Sequence, residues 1–325
     1  MELVRSYKKL SGRFAGFFFR FVILFPVTFE YALADDSIQV QYKFEKTFFL
    51  DIARSKDNLI SVGERGLVFR SKNLGKSWES IQIKEKPTLT SIVFTNKKTA
   101  IAVGHKGGAY KTTNLGKSFT KINISQTKTE DSLLRIRLVD KNHIVIVGAW
   151  GLLIESLDNG KTWKKHKIIS PEFDWHLYDV IKSSFGLLAV GEAGTLVLRK
   201  LNEVNWKKID SPYQGSYFGI VKGGKNNFYV YGMRGNIFEF DMPKIKTGNF
   251  KFVSKSLKTD TRSTWMSGLK LDDNSLLFFG DGGLIGKKTK TFTRKTVPLR
   301  VVNSGVELND GSVFLVGMDG GFILD

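Results

Sequence analysis

Four histidines are the first candidates for chemistry, because imidazole binds metal ions and transfers protons near neutral pH. They are His105, His143, His166 and His176, and their separations match no familiar metal-ligand spacing. The chain of 325 residues contains no cysteine, which removes thiolate ligands, disulfides and a thiol nucleophile. We therefore expect no metal site and no other bound cofactor.

Pairs of glycines are the second candidate, because glycine-rich loops can hold phosphate groups. The segment "SVGERGLVFR", from Ser61 to Arg70, places Gly63 and Gly66 between two short apolar runs. A phosphate loop would lead into a helix, whose N-terminus supplies free amide groups. Here the second run is rich in β-branched and aromatic residues, which is typical of a strand. The sequence therefore assigns these glycines to a tight turn in a β-hairpin.

The glycine pair recurs along the chain, so the turn belongs to a repeat. Clear copies are Gly104 with Gly107, Gly148 with Gly151 and Gly191 with Gly194, and weaker copies begin at Gly232, Gly280 and Gly317. Successive first glycines lie 41, 44, 43, 41, 48 and 37 residues apart. In the first four copies an aromatic residue follows the first glycine by fifteen positions: Trp78, Phe119, Trp163 and Trp206. A period near forty is typical of propeller blades or helical pairs, and strand-like runs such as "TAIAVG" and "HIVIVG" favour the propeller.

Each repeat accommodates four strands, which we name A to D in chain order. The seven first glycines then predict seven blades, with the aromatic residues packed between neighbouring blades. The last copy ends without a strand D, and "VQYKFEKTFF" (40–49) is a candidate to supply it. We therefore predict an all-β fold: a seven-bladed β-propeller of four-stranded antiparallel blades, closed by pairing of the N-terminal strand with the last blade. An open β-solenoid is the alternative.

The N-terminus has the character of an export signal. Residues 1–34 combine a basic start, a short apolar run and small residues at Ala32 and Ala34, as signal peptidase requires. We expect a cleaved secretory signal over 1–34 and a single propeller over 35–325, with a retained membrane anchor as the alternative. Without the five basic and two acidic residues of the signal, the net charge falls from +19 to +16. Most lysines recur singly in the repeats, which argues against a concentrated nucleic-acid stripe.

One end of the propeller is predicted to bind a partner. The turns between strands B and C emerge at the same end as the crossovers from strand D to the next strand A, and the two residues between the paired glycines differ from blade to blade. Variable loops on a fixed scaffold are where recognition usually lies, and Tyr, Trp and Arg are enriched at binding hot spots. The candidate binding residues are Arg135, Arg137, Trp150, Trp175, His176, Tyr178, Tyr217, Arg234, Arg262, Trp265 and Arg300. Packing between strands A, or lining of a solvated channel, is the alternative role for any one of them.

The segment "SLDNGKTW" (156–163) resembles the Asp-box, a turn motif of sialidases and related glycosidases, with Asp158, Gly160 and Trp163 as its structural residues. A sialidase-like site would also need an arginine cluster, a tyrosine nucleophile and acidic partners. No motif gathers Arg135, Arg262 or Arg300 with such an acid pair. We therefore expect no enzymatic activity, and keep a glycoside hydrolase or a glycan-binding propeller as the alternative.

The repeats as a group resemble the photosystem II stability/assembly factor family. The resemblance is carried by "GLLIESLDNGKTW", the Val-Gly-x-x-Gly turns, the aromatic crossover "WHLYDV" and the exported N-terminus, and it covers about residues 38–325. It implies a seven-bladed, non-catalytic scaffold that binds a newly made reaction-centre protein, partly through arginines on one face. Blades five to seven lack Asp-boxes. The expected partner is a membrane protein with an acidic exposed segment. The expected location of the protein is the periplasm or, in a photosynthetic host, the thylakoid lumen. In a non-photosynthetic host the protein would belong to an envelope or transporter complex.

Overall fold

The computed structural model describes residues 42–170, 172–241 and 252–324. The predicted signal at 1–34, and residues 35–41 after it, lie outside this range. Among the described residues, no helix is both long and apolar enough to cross a membrane. Only three single-turn 3-10 helices occur among them, at Phe44–Lys46, Glu64–Gly66 and Met233–Gly235.

The strands of the first four blades follow the predicted order. Blade 1 contains β1 (Phe49–Ser55), β2 (Asn58–Gly63), β3 (Leu67–Ser71) and β4 (Glu79–Gln82). Blade 2 contains β5 (Leu89–Phe94), β6 (Ala100–Gly104), β7 (Ala109–Thr112) and β8 (Thr120–Lys121). Blade 3 contains β9 (Leu133–Asp140), β10 (His143–Gly148), β11 (Leu153–Ser156) and β12 (Lys164–His166). Blade 4 contains β13 (Leu177–Lys182), β14 (Gly186–Gly191), β15 (Leu196–Lys200) and β16 (Lys207–Lys208).

The last three blades repeat the arrangement. Blade 5 contains β17 (Tyr217–Lys222), β18 (Asn227–Gly232), β19 (Ile237–Asp241) and β20 (Val253–Ser256). Blade 6 contains β21 (Trp265–Lys270), β22 (Leu276–Gly280), β23 (Leu284–Lys288) and β24 (Phe292–Thr296). Blade 7 contains β25 (Val302–Glu307), β26 (Val313–Gly317) and β27 (Gly320–Leu324). Within every sheet the strands pair antiparallel in sequence order.

The seven sheets form a closed ring. Each strand A contacts the strand A of the next blade, and β25 of blade 7 contacts β1 of blade 1. Seven apolar clusters fill the gaps, one between each pair of adjacent blades. The four predicted aromatic wedges belong to these clusters, with Trp163 and Trp206 buried and Trp78 and Phe119 partly buried. The seven-bladed β-propeller is thus confirmed.

The paired glycines are required by the contact between strands. A β-carbon on any of the seven first glycines would lie between 1.8 and 2.4 Å from the carbonyl oxygen of the residue that precedes strand A of the same blade. The second glycine has a positive φ, for example +67° at Gly66 and +91° at Gly320, where other residues are disfavoured. Every blade therefore needs glycine at the same two positions: at the first to avoid a clash with a carbonyl oxygen, and at the second to adopt a positive φ.

The ring closes through a contact that repeats between the other blades. In five other blades the amide of the second glycine donates a hydrogen bond to the carbonyl two residues before the next strand A, as from Gly151 to Trp175. In blade 7 the amide of Gly320 donates to Thr47, two residues before β1. Phe44 also stacks on Trp78, with ring centroids 4.2 Å apart.

The N-terminal segment thus occupies the position of a crossover from blade 7 to blade 1. Phe44–Lys46 form a 3-10 turn, so the predicted strand D must end before Phe44. The remaining candidate residues, up to Gln41, lie outside the described part of the chain. Pairing of these residues with β27 stays a prediction.

The Asp-box turn of blade 3 is held by its acidic residue. The Asp158 carboxylate accepts hydrogen bonds from the backbone amides of Lys161 and Thr162 and from the hydroxyls of Ser156 and Thr162. These bonds favour the ionised form and lower the pKa of Asp158. The equivalent turns in blades 1 and 2 use Asn73 and Asn114 with the same geometry. The motif therefore has a structural role, as predicted.

Substitution at Asp158 tests that role. Asp158→Ala removes the carboxylate that accepts four hydrogen bonds in the turn, and we expect it to lower the Tm by a few degrees. Asp158→Asn is the matched control, because asparagine serves in blades 1 and 2, and it should leave the Tm nearly unchanged. Thermal unfolding monitored by circular dichroism measures both, and equal losses for the two variants would contradict the capping role.

Candidate partner-binding face and central channel

The turns between strands B and C display their second variable residue in an unusual conformation. Five of these residues have a positive φ of 50° to 59° and a sixth, Asp319, has 72°; the five are Arg65, Lys106, Trp150, Ala193 and Arg234. Such a φ is uncommon for residues other than glycine. The second glycine then anchors the turn to the adjoining crossover. We call the end of the propeller formed by these turns and the crossovers the turn face.

Aromatic side chains form a continuous row across blades 3 to 5 of the turn face. The ring of Trp150 packs edge-on against His176 at 4.8 Å, His176 lies 6.2 Å from Tyr178, and Tyr178 lies 5.1 Å from Phe218. Trp150 is 68% exposed, which is unusual for so large an apolar side chain. We call these four side chains the aromatic row. The structure thus brings together three predicted site residues and adds Phe218.

Hydrogen bonds fix the middle of the row. The amide of Trp150 donates to Nδ1 of His176 at 3.3 Å, and the amide of His176 donates to the Glu192 carboxylate at 3.2 Å. Burial, and then the negative charge of Glu192, raises the pKa of the Tyr178 hydroxyl. Trp175 lies beside these residues on the same crossover and is 43% exposed. Hydrogen bonds to its ring and from its backbone amide therefore hold His176 in the middle of the row.

Exposed arginines flank the row on the side of blades 5 and 6. Arg234 lies in the blade 5 turn beside Met233, which is 38% exposed, and Arg262 lies on the next crossover. Arg300, between blades 6 and 7, is exposed but bound to Asp319 through two hydrogen bonds of 2.8 and 3.0 Å. That pair raises the pKa of Arg300 and lowers the pKa of Asp319. All three arginines lie on the turn face, as predicted, and Arg234 and Arg262 have no ion pair within the described residues.

Two predicted face residues are buried instead. Tyr217 and Trp265 are 0% exposed, because each is the first residue of a strand A and its side chain packs between blades. The Tyr217 hydroxyl lies 2.8 Å from Ser211 Oγ, and the indole N–H of Trp265 donates to the Gly235 carbonyl at 3.1 Å. Burial raises the pKa of Tyr217 to about 12. Their assignment to an exposed face is wrong.

Arg135 and Arg137 lie inside the ring and not on the turn face. Both belong to β9, the strand A of blade 3, so they project among the inner strands. Arg135 lies 3.6 Å from Asp51 of β1, and Arg137 makes two hydrogen bonds of 2.8 Å to Asp179 of β13. The exposed fractions of the two side chains are 12% and 35%. The prediction that Arg135 and Arg137 lie on the binding face is therefore wrong. They line the channel, which was the alternative role.

Asp51 is the centre of the polar network around the channel. Its two carboxylate oxygens accept hydrogen bonds from the hydroxyls of Ser91 and Ser304, each at 2.7 Å, and from the amides of Ile52 and Ile92 at 3.0 Å. These donors come from blades 1, 2 and 7, and Arg135 adds blade 3. One buried carboxylate thus connects four of the seven blades.

Asp179 plays a similar part on the other side of the ring. Its side chain is fully buried, pairs with Arg137, and accepts hydrogen bonds from the amides of Val180 and Ile220. Burial opposes ionisation, but the charge and hydrogen bonds of Arg137 outweigh it and lower the pKa of Asp179. The acidic side chains at the ring centre are therefore occupied by structural partners.

A second buried ionic cluster joins blades 3 and 4. Glu155 of β11 accepts a hydrogen bond of 2.8 Å from His143, lies 2.6 Å from His166 Nε2, and binds Arg199 of β15 through two contacts of 2.6 Å. Sequence spacing gave no sign that His143 and His166 would meet. Within the described residues, no group of three or more His, Asp or Glu side chains has an arrangement that could hold a metal ion. The Nε2 atom of each imidazole lies beside a Glu155 carboxylate oxygen instead.

Comparison with known proteins identifies structural neighbours only. No protein-family model matches the sequence, and no curated protein matches it. The structure of YCF48 bound to a D1 peptide has a TM-score of 0.68 at 15% identity, over 86% of this chain and 91% of that chain.

Two further neighbours show how widely the architecture is shared. YCF48 from Cyanidioschyzon merolae has a TM-score of 0.65 at 16% identity, over 86% of this chain and 95% of that chain. A streptogramin B lyase has a TM-score of 0.70 at 11% identity, over 87% and 95%. At these identities the likeness establishes the fold alone: the chain is similar in fold to YCF48 and to a streptogramin B lyase.

Proposed function

We propose that this protein is a non-catalytic, exported scaffold whose turn face binds a segment of a membrane protein. The observation that carries the proposal is the aromatic row, where Trp150 is 68% exposed although a monomer gains nothing by exposing it. Exposed tryptophan and tyrosine on a rigid backbone are typical of binding hot spots. The row spans three blades, which suits an extended polypeptide segment.

Charge favours an acidic partner. Arg234 and Arg262 flank the row with exposed guanidinium groups, which can bind carboxylates through two parallel hydrogen bonds. The net charge of +19, or +16 after removal of residues 1–34, would accelerate the approach of an acidic segment in a salt-dependent way. The partner therefore combines apolar anchors with nearby carboxylates.

The structural neighbours support a binding role and leave its details open. One of them, YCF48, is seen with a D1 peptide, so a propeller of this architecture can hold a peptide. In a photosynthetic host the compartment of our protein would be the thylakoid lumen, and elsewhere the periplasm, where it would serve an envelope or transporter complex. Export itself rests on the sequence of residues 1–34.

Crosslinked capture from membranes tests the proposal. We expect Trp150→Ala combined with Arg234→Glu to reduce capture of the partner about tenfold or more, because both the anchor and the complementary charge are lost. Both residues are exposed, so the Tm should stay close to that of the unchanged protein.

The matched control is Lys76→Glu combined with Lys117→Glu, in exposed turns at the opposite end of the propeller. These changes alter the net charge more than the face variant does, yet they should slow association only slightly. If the lysine variant lost more capture than the face variant, the binding surface would lie elsewhere and the proposal would fail.

A further inference from the structure

The central channel opens into a cavity at the end away from the turn face. The cavity has a volume of about 320 Å3 and is lined by the second halves of β9, β13, β17 and β21, the strands A of blades 3 to 6. Each strand A begins at a crossover on the turn face, so its last residues lie at the other end of the ring. The cavity is therefore separate from the aromatic row.

Basic side chains recur at the same register around this cavity. Lys182, Lys222 and Lys270 are the last residues of β13, β17 and β21, each five positions after the first residue of its strand. Arg137 of β9 joins them in the lining. Three successive blades thus place a lysine at an equivalent position at one channel mouth.

Carboxylates balance only half of this charge. Arg137 pairs with Asp179, and Lys182 pairs with Asp140 at the edge of blade 3. Lys270 donates a hydrogen bond of 2.6 Å to the Gly223 carbonyl, and neither Lys270 nor the exposed Lys222 has a carboxylate partner among the described residues. Two cations therefore remain without a counter-charge beside a concave surface, where the local dielectric is lower than in water.

The rest of the cavity wall is apolar. Between the basic groups lie four partly exposed side chains, those of Leu138, Val139, Ile181 and Leu269, together with the buried residues Val180, Ile220 and Val221. A volume of this size is at the small end of ligand pockets. A bare inorganic anion would leave the four partly exposed side chains in contact with water, whereas a short hydrocarbon chain would cover them.

We propose that this channel mouth binds a small amphiphilic anion: a carboxylate or phosphate head group held by Lys222 and Lys270, with a short hydrocarbon chain against the apolar wall. Lys182 lies on the same side of the head group and is held in place by Asp140. Arg137 closes the inner end of the cavity, because Asp179 fixes its guanidinium in the channel. The head group of the ligand would neutralise the surplus charge of Lys222 and Lys270, and its hydrocarbon chain would cover the apolar wall.

Isothermal titration calorimetry with octanoate tests this site on the full-length protein. We expect octanoate to bind and 1-octanol, its uncharged analogue, to bind at least about tenfold more weakly, which corresponds to about 1.4 kcal/mol. Inorganic phosphate should bind more weakly than octanoate because it lacks the hydrocarbon chain. Lys222→Gln combined with Lys270→Gln should weaken octanoate binding about tenfold or more.

The control variant, Lys76→Gln combined with Lys117→Gln, removes the same charge from exposed turns outside the cavity and should bind octanoate normally. The proposal is overturned if octanoate fails to bind, if octanol binds equally well, or if the control variant loses as much affinity as the cavity variant.

Sedimentation with phosphatidylglycerol vesicles distinguishes a free ligand from a membrane surface. We expect the cavity and control variants to bind vesicles equally well, because a bilayer cannot enter the channel. A selective loss of vesicle binding by the cavity variant, with octanoate binding unchanged, would assign the lysines to a lipid surface and refute the small-molecule site.

Discussion

Replacing Asp51 by alanine is expected to lower the free energy of unfolding by about 3–5 kcal/mol, the cost of removing one partner from a buried ion pair. The change deprives the hydroxyls of Ser91 and Ser304 of their acceptor and leaves the almost buried Arg135 without its ion-pair partner. Because these groups belong to blades 2, 3 and 7, the loss is felt across the joint where the ring closes.

Urea unfolding of the full chain measures this loss. Asp51→Asn keeps the shape of the side chain but not its charge, so it should cost less than alanine and more than an exposed change. Asp210→Asn is the matched control, since Asp210 is exposed on a crossover, and it should change stability by less than about 0.5 kcal/mol. If Asp51→Ala were no more harmful than the Asp210 variant, the channel network would contribute nothing to holding the blades together.

The blade pattern could be predicted from sequence because it rests on local demands. Each first glycine lies beside a carbonyl oxygen of its own blade, and each aromatic wedge follows its first glycine by fifteen positions, so both features recur with the blade repeat of about forty residues. The strand-like runs "TAIAVG" and "HIVIVG" form β6 (Ala100–Gly104) and β10 (His143–Gly148). The recurrence of these features along the chain therefore allowed the blades to be predicted, which a single copy would not have allowed.

The direction of a side chain at strand A was harder to predict. Tyr217 and Trp265 lie next to the crossovers in sequence, yet each begins a strand and turns between blades, whereas Tyr178, one residue further into its strand, joins the aromatic row. A shift of one position reverses the side on which a strand residue lies. Sequence placed the aromatic residues in the right region but could not resolve that one-residue difference.

The ion-pair partners of the charged strand residues could not be predicted at all. Arg135 and Arg137 are alternate residues of one strand, which indicates that they share a side, but their partners Asp51 and Asp179 belong to other blades. His143 and Glu155 are twelve positions apart and meet only because β10 and β11 pair in register. One signal was available: charged residues interrupt otherwise apolar strands at these positions, and buried charges require partners.

Replacing Glu155 is expected to cause the second large loss of stability. Glu155→Gln should lower the free energy of unfolding at pH 7 by about 3–5 kcal/mol, because the amide cannot accept both contacts from Arg199 and leaves that guanidinium unpaired in the interior. Burial opposes ionisation of Glu155, but hydrogen bonds from His143, His166 and Arg199 outweigh it and hold the pKa well below its ordinary value of 4.5. The carboxylate is therefore a net stabilising group at neutral pH.

The lowered pKa also determines how this stabilisation depends on pH. When the folded-state pKa is lower than the unfolded one, the contribution is complete above the unfolded value and declines as the pH falls toward the folded value. The stability difference between the unchanged protein and Glu155→Gln should thus be constant near pH 7 and shrink by about 2 kcal/mol on going to pH 3. Urea unfolding at the two pH values measures this change directly.

Glu64→Gln, at an exposed turn position, is the control and should show no such convergence. A stability difference that stayed constant down to pH 3 would mean that Glu155 is protonated alike in the folded and unfolded chains, and the buried ion cluster between blades 3 and 4 would then not stabilise the fold through its charge.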